Sequence, residues 1–104
     1  MNEEILKAVD EIADEMIEGI KRIVRIDSVE SEAVSEAPFG EGVRHALDET
    51  LQLSRDLGFE TVDVDHYIGY ARYGKSDDYV CACGHLDVVP VGEGWKHPPF
   101  SAYE

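Results

Sequence analysis

The run Tyr79-Val80-Cys81-Ala82-Cys83 offers no charged side chain to water on either face, and it leads directly into Gly84-His85-Leu86-Asp87-Val88-Val89-Pro90. A strand that is apolar on both faces belongs inside a sheet covered on both sides, the arrangement of layered α/β proteins. The run therefore predicts a buried central strand, closed at its far end by Pro90. In open α/β sheets, ligands bind beyond the carboxyl ends of such strands. This one delivers His85 and Asp87 to that place, on the same side while the chain stays extended.

The preceding sequence reads as the layers around it. Residues 3–25 predict one long amphipathic helix, with Ile5, Val9, Ile12, Met16, Ile20 and Ile23 on a single stripe and Glu4, Asp10, Glu11, Asp14, Glu15 and Glu18 opposite. Residues 27–41 have no period and predict a long loop, which in a compact domain covers something or has a function. A second helix is expected over residues 42–57, with Gly58 as its stop. Two β-rich segments, 59–64 and 67–73, flank Asp65-His66 and predict a hairpin. Residues 74–78 form a further turn, and a loop rich in Gly, Pro and aromatics closes the chain. The expectation is a single α/β domain over 1–104: two helices, a hairpin and the buried central strand.

Charge narrows the function. The 104 residues hold 9 Lys and Arg against 23 Asp and Glu, a net charge of −14. Binding nucleic acid requires cations that displace phosphate counterions, and anionic membranes require the same, so neither partner is expected. No apolar run reaches the roughly 18 residues of a membrane span, and the acidic N-terminus lacks a signal-peptide layout. The expectation is a soluble, cytoplasmic protein. Cys81 and Cys83 would sit about 6–7 Å apart on one strand face, at or beyond the reach of a relaxed disulfide. They read as two buried small hydrophobes in a reducing compartment.

From the residues alone, His85 and Asp87 support two readings equally. One is a hydrogen-bonded structural pair. The other is a metal or catalytic pair, with His85 as the ligand and Asp87 as its support. The other features are weaker. Gly92-Glu93-Gly94 lacks a third glycine and an opening helix, so it does not read as a phosphate loop. No serine sits in a strand-turn-helix frame. His45, His66 and His97 read as surface or packing residues, and Tyr67, Tyr70, Tyr73 and Tyr79 as sheet packing.

Gly84-His85-Leu86-Asp87-Val88-Val89-Pro90, with Gly92-Glu93-Gly94-Trp95 and Pro98-Pro99-Phe100, resembles the first metal motif of the aminoacylase and carboxypeptidase G type zinc peptidases. Upstream, Ile23-Val24-Arg25-Ile26-Asp27-Ser28-Val29, Ala37-Pro38-Phe39-Gly40-Glu41-Gly42-Val43 and Gly69-Tyr70-Ala71 are similar to bacterial Xaa-His, carnosinase-like dipeptidases. The resemblance covers essentially the whole chain. It implies that His85 binds one of two zinc ions and that Asp87 is a catalytic residue beside the metal groups. It also implies metal-assisted hydrolysis of dipeptides. Members of that family are several-fold longer, and one His with a neighbouring Asp cannot close a tetrahedral zinc. The expectation is the N-terminal part of a zinc-peptidase catalytic domain, inactive by itself. Two alternatives stay open: an N-acyl amino acid deacylase or desuccinylase of the same family, and a non-catalytic acidic interaction domain. An unpaired sheet edge in so short a chain would also favour self-association.

Overall fold

The computed structural model describes residues 2–104 and is a mixed α/β arrangement of three helices and one two-stranded sheet. Helices α1 (Glu3–Glu11) and α2 (Ala13–Val24) run in succession, α3 (Glu41–Asp56) follows the long loop, and strands β1 (Glu60–Val64) and β2 (Ile68–Arg72) form an antiparallel hairpin. None of the described helices is long and apolar enough to cross a membrane.

The single helix expected over 3–25 is broken at Ile12. Asn2 caps α1 by accepting the Glu4 N–H at 2.7 Å. At Ile12 the backbone leaves helical geometry (φ −101°, ψ 5°), and its N–H bonds Val9 O at 3.2 Å. The like-charge pairs Asp10/Asp14 and Glu11/Glu15 straddle this point at i,i+4 spacing, where they oppose a continuous helix. The apolar stripe continues across the break, yet neither helix has a buried residue.

Helix α3 organises what is buried. Ala46, Leu47 and Leu51 form its inner face, and Ile26 and Ala37 from the preceding segment complete the buried apolar set. On one side α2 meets α3 through Gly19, which lies against the Leu53 methyls, and through Arg22, which bonds Glu49 at 2.8 Å and Asp56 at 3.0 Å. On the other side the hairpin lies close against α3. A Cβ built on Gly69 would stand 2.9 Å from methyls of both Leu47 and Leu51, so any larger residue would force those buried methyls to shift.

The hairpin forms as its sequence implies. Glu60 pairs with Arg72 and Val64 with Ile68. Asp65 and His66 both take positive φ, 54° and 65°, as the turn that matches strand twist requires. Thr61, Asp63 and Gly69 are the less exposed positions, while Val62, Val64, Ile68 and Tyr70 face outward and remain exposed. The tyrosines expected to pack the sheet are mostly open to solvent. Tyr67 keeps an edge-on contact with Phe39, and Tyr73 a tilted one with Phe59.

The central strand over 79–83 is the main correction. These residues form no strand, Val80 is 100 % exposed, and both cysteines are exposed free thiols. A strand buried on both faces needs flanking strands and covering layers, and among the described residues none lies beside 79–83 to supply them. The Cα radius of gyration of 16.0 Å fits this openness. A single domain of about 100 residues would measure about 13 Å.

Replacing Gly69 by Ala should destabilise the chain by about 1–3 kcal/mol in urea unfolding, through overpacking against Leu47 and Leu51. Gly84→Ala adds a Cβ that meets nothing within 4 Å, so it should stay within about 0.5 kcal/mol of the parent. Equal midpoints for the two variants would remove Gly69 as the point of close approach.

Candidate metal-binding segment

Three local devices shape the loop before α3 and its junction with the helix. Asp27 Oδ1 accepts the Val29 N–H at 3.2 Å, which turns the chain after α2. Gly42 brings the start of α3 so near that a Cβ there would stand 2.1 Å from Asp27 O. Gly40, at φ +97°, leaves room for Ser31, whose N–H bonds Phe39 O at 3.0 Å. The loop is thus folded back on itself and covers the entry to α3.

Ser28 is the contact that reaches the site. It is buried at 4 % exposure, and its hydroxyl donates to Leu86 O at 2.8 Å. The Val88 N–H returns a bond to Ser28 O at 3.1 Å, and Val29 and Val88 form a parallel bridge. Among the described residues, the backbone around His85 and Asp87 is held through Ser28 and Val29. Sequence periodicity gave no sign of Ser28, because a single hydroxyl in an aperiodic loop carries no pattern.

The structure brings His85 and Asp87 together. The His85 ring Nδ1 lies 2.9 Å from Asp87 O and 3.3 Å from Asp87 Oδ1. With the proton on Nδ1, the ring donates to Asp87 and presents the Nε2 lone pair outward, as metal-ligating histidines do. The side chain is 82 % exposed. Among the described residues, no group of three His, Cys, Asp or Glu converges in a way that could hold a metal ion. An imidazole with Nδ1 held by the Asp87 carbonyl has Nε2 free for one bond to a ligand or metal, and no second or third candidate metal ligand converges on it among the described residues.

A groove of about 560 Å³ opens beside the segment. Its floor is α3, through Leu47, Thr50 and Leu51. One wall is β2 from Ile68 to Ala71, and the other is the run from Gly84 to Asp87. Thr50 Oγ1 is buried there without a hydrogen-bond partner. His66 stands at the rim and is held by Asp63, with its N–H on Asp63 Oδ1 and its Nδ1 against Asp63 Oδ2, each at 2.7 Å. The surface or packing role expected of His66 thus takes the form of a hydrogen-bonded pair with Asp63 in the hairpin turn. His97 stacks on Tyr103 at 3.6 Å between ring centres, away from the groove lining.

No family model matches the chain. Individual proteins do. The chain is 42 % identical over 92 residues to a Staphylococcus epidermidis protein named "Putative dipeptidase", a match covering 86 % of this chain and 20 % of the relative. It is 41 % identical over 95 residues to "Putative dipeptidase SH1171" of Staphylococcus haemolyticus, covering 89 % and 20 %. It is 40 % identical over 91 residues to "Putative dipeptidase YtjP" of Bacillus subtilis, covering 86 % and 20 %. The chain is thus homologous to bacterial proteins that carry dipeptidase names, and it spans about one fifth of the length of the curated relatives it matches.

Burial pushes the Asp63 carboxyl upward, but the hydrogen bonds from His66 and the charges of His66 and Arg44 outweigh it and hold it below its ordinary 3.8. The unfolded chain then takes up this proton at a higher pH than the folded one. The stabilisation is complete above the unfolded value and is lost as pH falls through the folded one. Asp63→Asn should therefore flatten the loss of stability below about pH 4 in thermal melts, relative to the parent. An unchanged acid limb would sink the role of this pair. Separately, Ser28→Ala should cost about 1 kcal/mol and speed hydrogen exchange at the Val88 amide, with α3 amides unaffected.

Proposed function

We propose that this sequence is the part of a zinc dipeptidase that supplies one metal ligand, His85, and the residue that orients it, Asp87. The observation that carries the reading is the His85–Asp87 arrangement, in which Nδ1 is engaged by Asp87 and Nε2 is left outward. Its position at the end of Gly84-His85-Leu86-Asp87, and the dipeptidase names of the relatives, add to it. A divalent metal held there would supply a Lewis acid that polarises the scissile carbonyl and acidifies water.

The chain's own residues have narrower tasks. His85 contributes one neutral imidazole nitrogen. The backbone carbonyl of Asp87 holds the ring by accepting from Nδ1, which fixes the tautomer and raises the basicity of Nε2, and the Asp87 carboxylate stands beside it at 3.3 Å. Ser28, through Leu86 O, sets the height of the segment. The second metal, the remaining ligands and the general base lie with residues outside 1–104 in this reading, so the 104-residue chain alone is inactive. The substrate is a dipeptide. The relatives' names favour it over the N-acyl amino acids that the His-x-Asp motif would equally allow.

The test uses a protein of the relatives' length that carries residues 1–104. It should hydrolyse dipeptides with zinc bound, while the 104-residue chain does not. Asp87→Ala keeps the backbone acceptor of Nδ1 and removes only the carboxylate beside the ring, and it should lower zinc affinity or turnover by about 10-fold, the low end of the effect of losing a group that supports a ligand. His85→Ala should cost more than that in both. Turnover of His85→Ala within a few-fold of the parent would remove His85 from the metal site. Activity confined to N-acyl amino acids would overturn the dipeptidase reading and leave the metal site standing.

A further inference from the structure

The hairpin turn holds a second imidazole in a fixed setting. The His66 N–H and ring Nδ1 both engage the Asp63 carboxylate, each at 2.7 Å. That carboxyl is held below its ordinary 3.8, so at neutral pH it is ionised and only accepts. The proton of the ring contact therefore sits on Nδ1. Nε2 has no hydrogen-bond partner among the described residues and is not buried, and the side chain is 30 % exposed. At φ 65° the residue also occupies a backbone region that glycine or asparagine takes with less strain. A strained turn position that keeps a locked polar ring is a mark of function.

His66 and His85 line one groove, His66 from the turn at the head of β2 and His85 from the facing wall. The carboxylates in that lining are Glu30 and Asp87, and no Lys or Arg joins them. A second carboxylate brought there meets like charges, whereas an ammonium meets opposite ones. The Nε2 lone pair adds an acceptor for its N–H groups.

We propose that His66 is a substrate-binding residue that accepts a hydrogen bond from the free α-ammonium of a dipeptide whose scissile carbonyl is turned toward His85, a role that rests on the zinc dipeptidase reading. It selects dipeptides over N-acyl amino acids. Acylation removes the positive charge and leaves one amide N–H, so the bond to Nε2 loses its charge assistance and the groove carboxylates lose their attraction. Asp63 acts one step back, by fixing which edge of the ring is left for the groove.

Steady-state kinetics on a protein of the relatives' length that carries residues 1–104 tests it, with leucyl-alanine as substrate and N-acetyl-leucyl-alanine as competitor. In the parent, the inhibition constant of the acetylated form should exceed the KM of the free dipeptide by about tenfold or more. His66→Gly keeps the positive-φ turn and removes the ring. It should raise KM about tenfold, bring the two constants within about threefold of each other, and leave kcat within about threefold and zinc content unchanged. Asp63→Asn, which keeps the ring and loosens its hold, should show the same loss in smaller measure. Equal constants in the parent, or a preference that survives His66→Gly, would overturn the role. A fall in kcat or zinc content with KM unchanged would move His66 to the metal chemistry and overturn it too. Failure of the dipeptidase reading has a different mark, a parent that turns over no dipeptide, and this role falls with it.

Discussion

The approach of β2 to α3 at Gly69 is the constraint on which the rest of the arrangement depends. Leu47 and Leu51 are buried because the hairpin lies directly on them, and the missing side chain at Gly69 lets it approach without displacing their methyls. Few other apolar residues are buried, so this contact supplies much of the tertiary stabilisation that the chain has. It also sets the groove, since α3 is the floor and β2 one wall. Helix α2 adds its contact from the far side of α3, mainly through Arg22 and its two carboxylates.

Much of this was legible in the residues. The second helix was expected over 42–57 and runs Glu41–Asp56, and the hairpin turn falls where Asp65-His66 placed it. Both follow from local rules, a 3.6-residue period and turn chemistry, which need no distant partner. The break at Ile12 was hidden because the apolar stripe runs through it, and only the like-charged pairs on the other face mark it. The strand over 79–83 misled for the opposite reason. Its composition describes a burial that neighbouring strands must provide, and composition alone cannot say whether they are present.

The same distinction separates the two halves of the site. His85 and Asp87 were legible because their spacing places them on one side of an extended chain, and their contact at 2.9 and 3.3 Å agrees with that. Ser28 was not legible, because its role depends on a contact 58 residues away in sequence. Chemistry that lies within a few residues can be read from spacing. The support that positions it across the fold cannot.

The attachment of the His85 segment through Ser28 and Val29 has a consequence for the order of folding. The hairpin and its seat on α3 involve residues within about 30 positions of one another, a short loop to close. The bonds from Ser28 to Leu86 and Val88 close a loop roughly twice as long and draw on little buried area. Loop-closure entropy and the small buried area favour their forming after α3 and the hairpin dock and opening before them. The imidazole therefore rides on a segment whose placement over the helical platform is set by one hydroxyl and one bridge in the loop before α3.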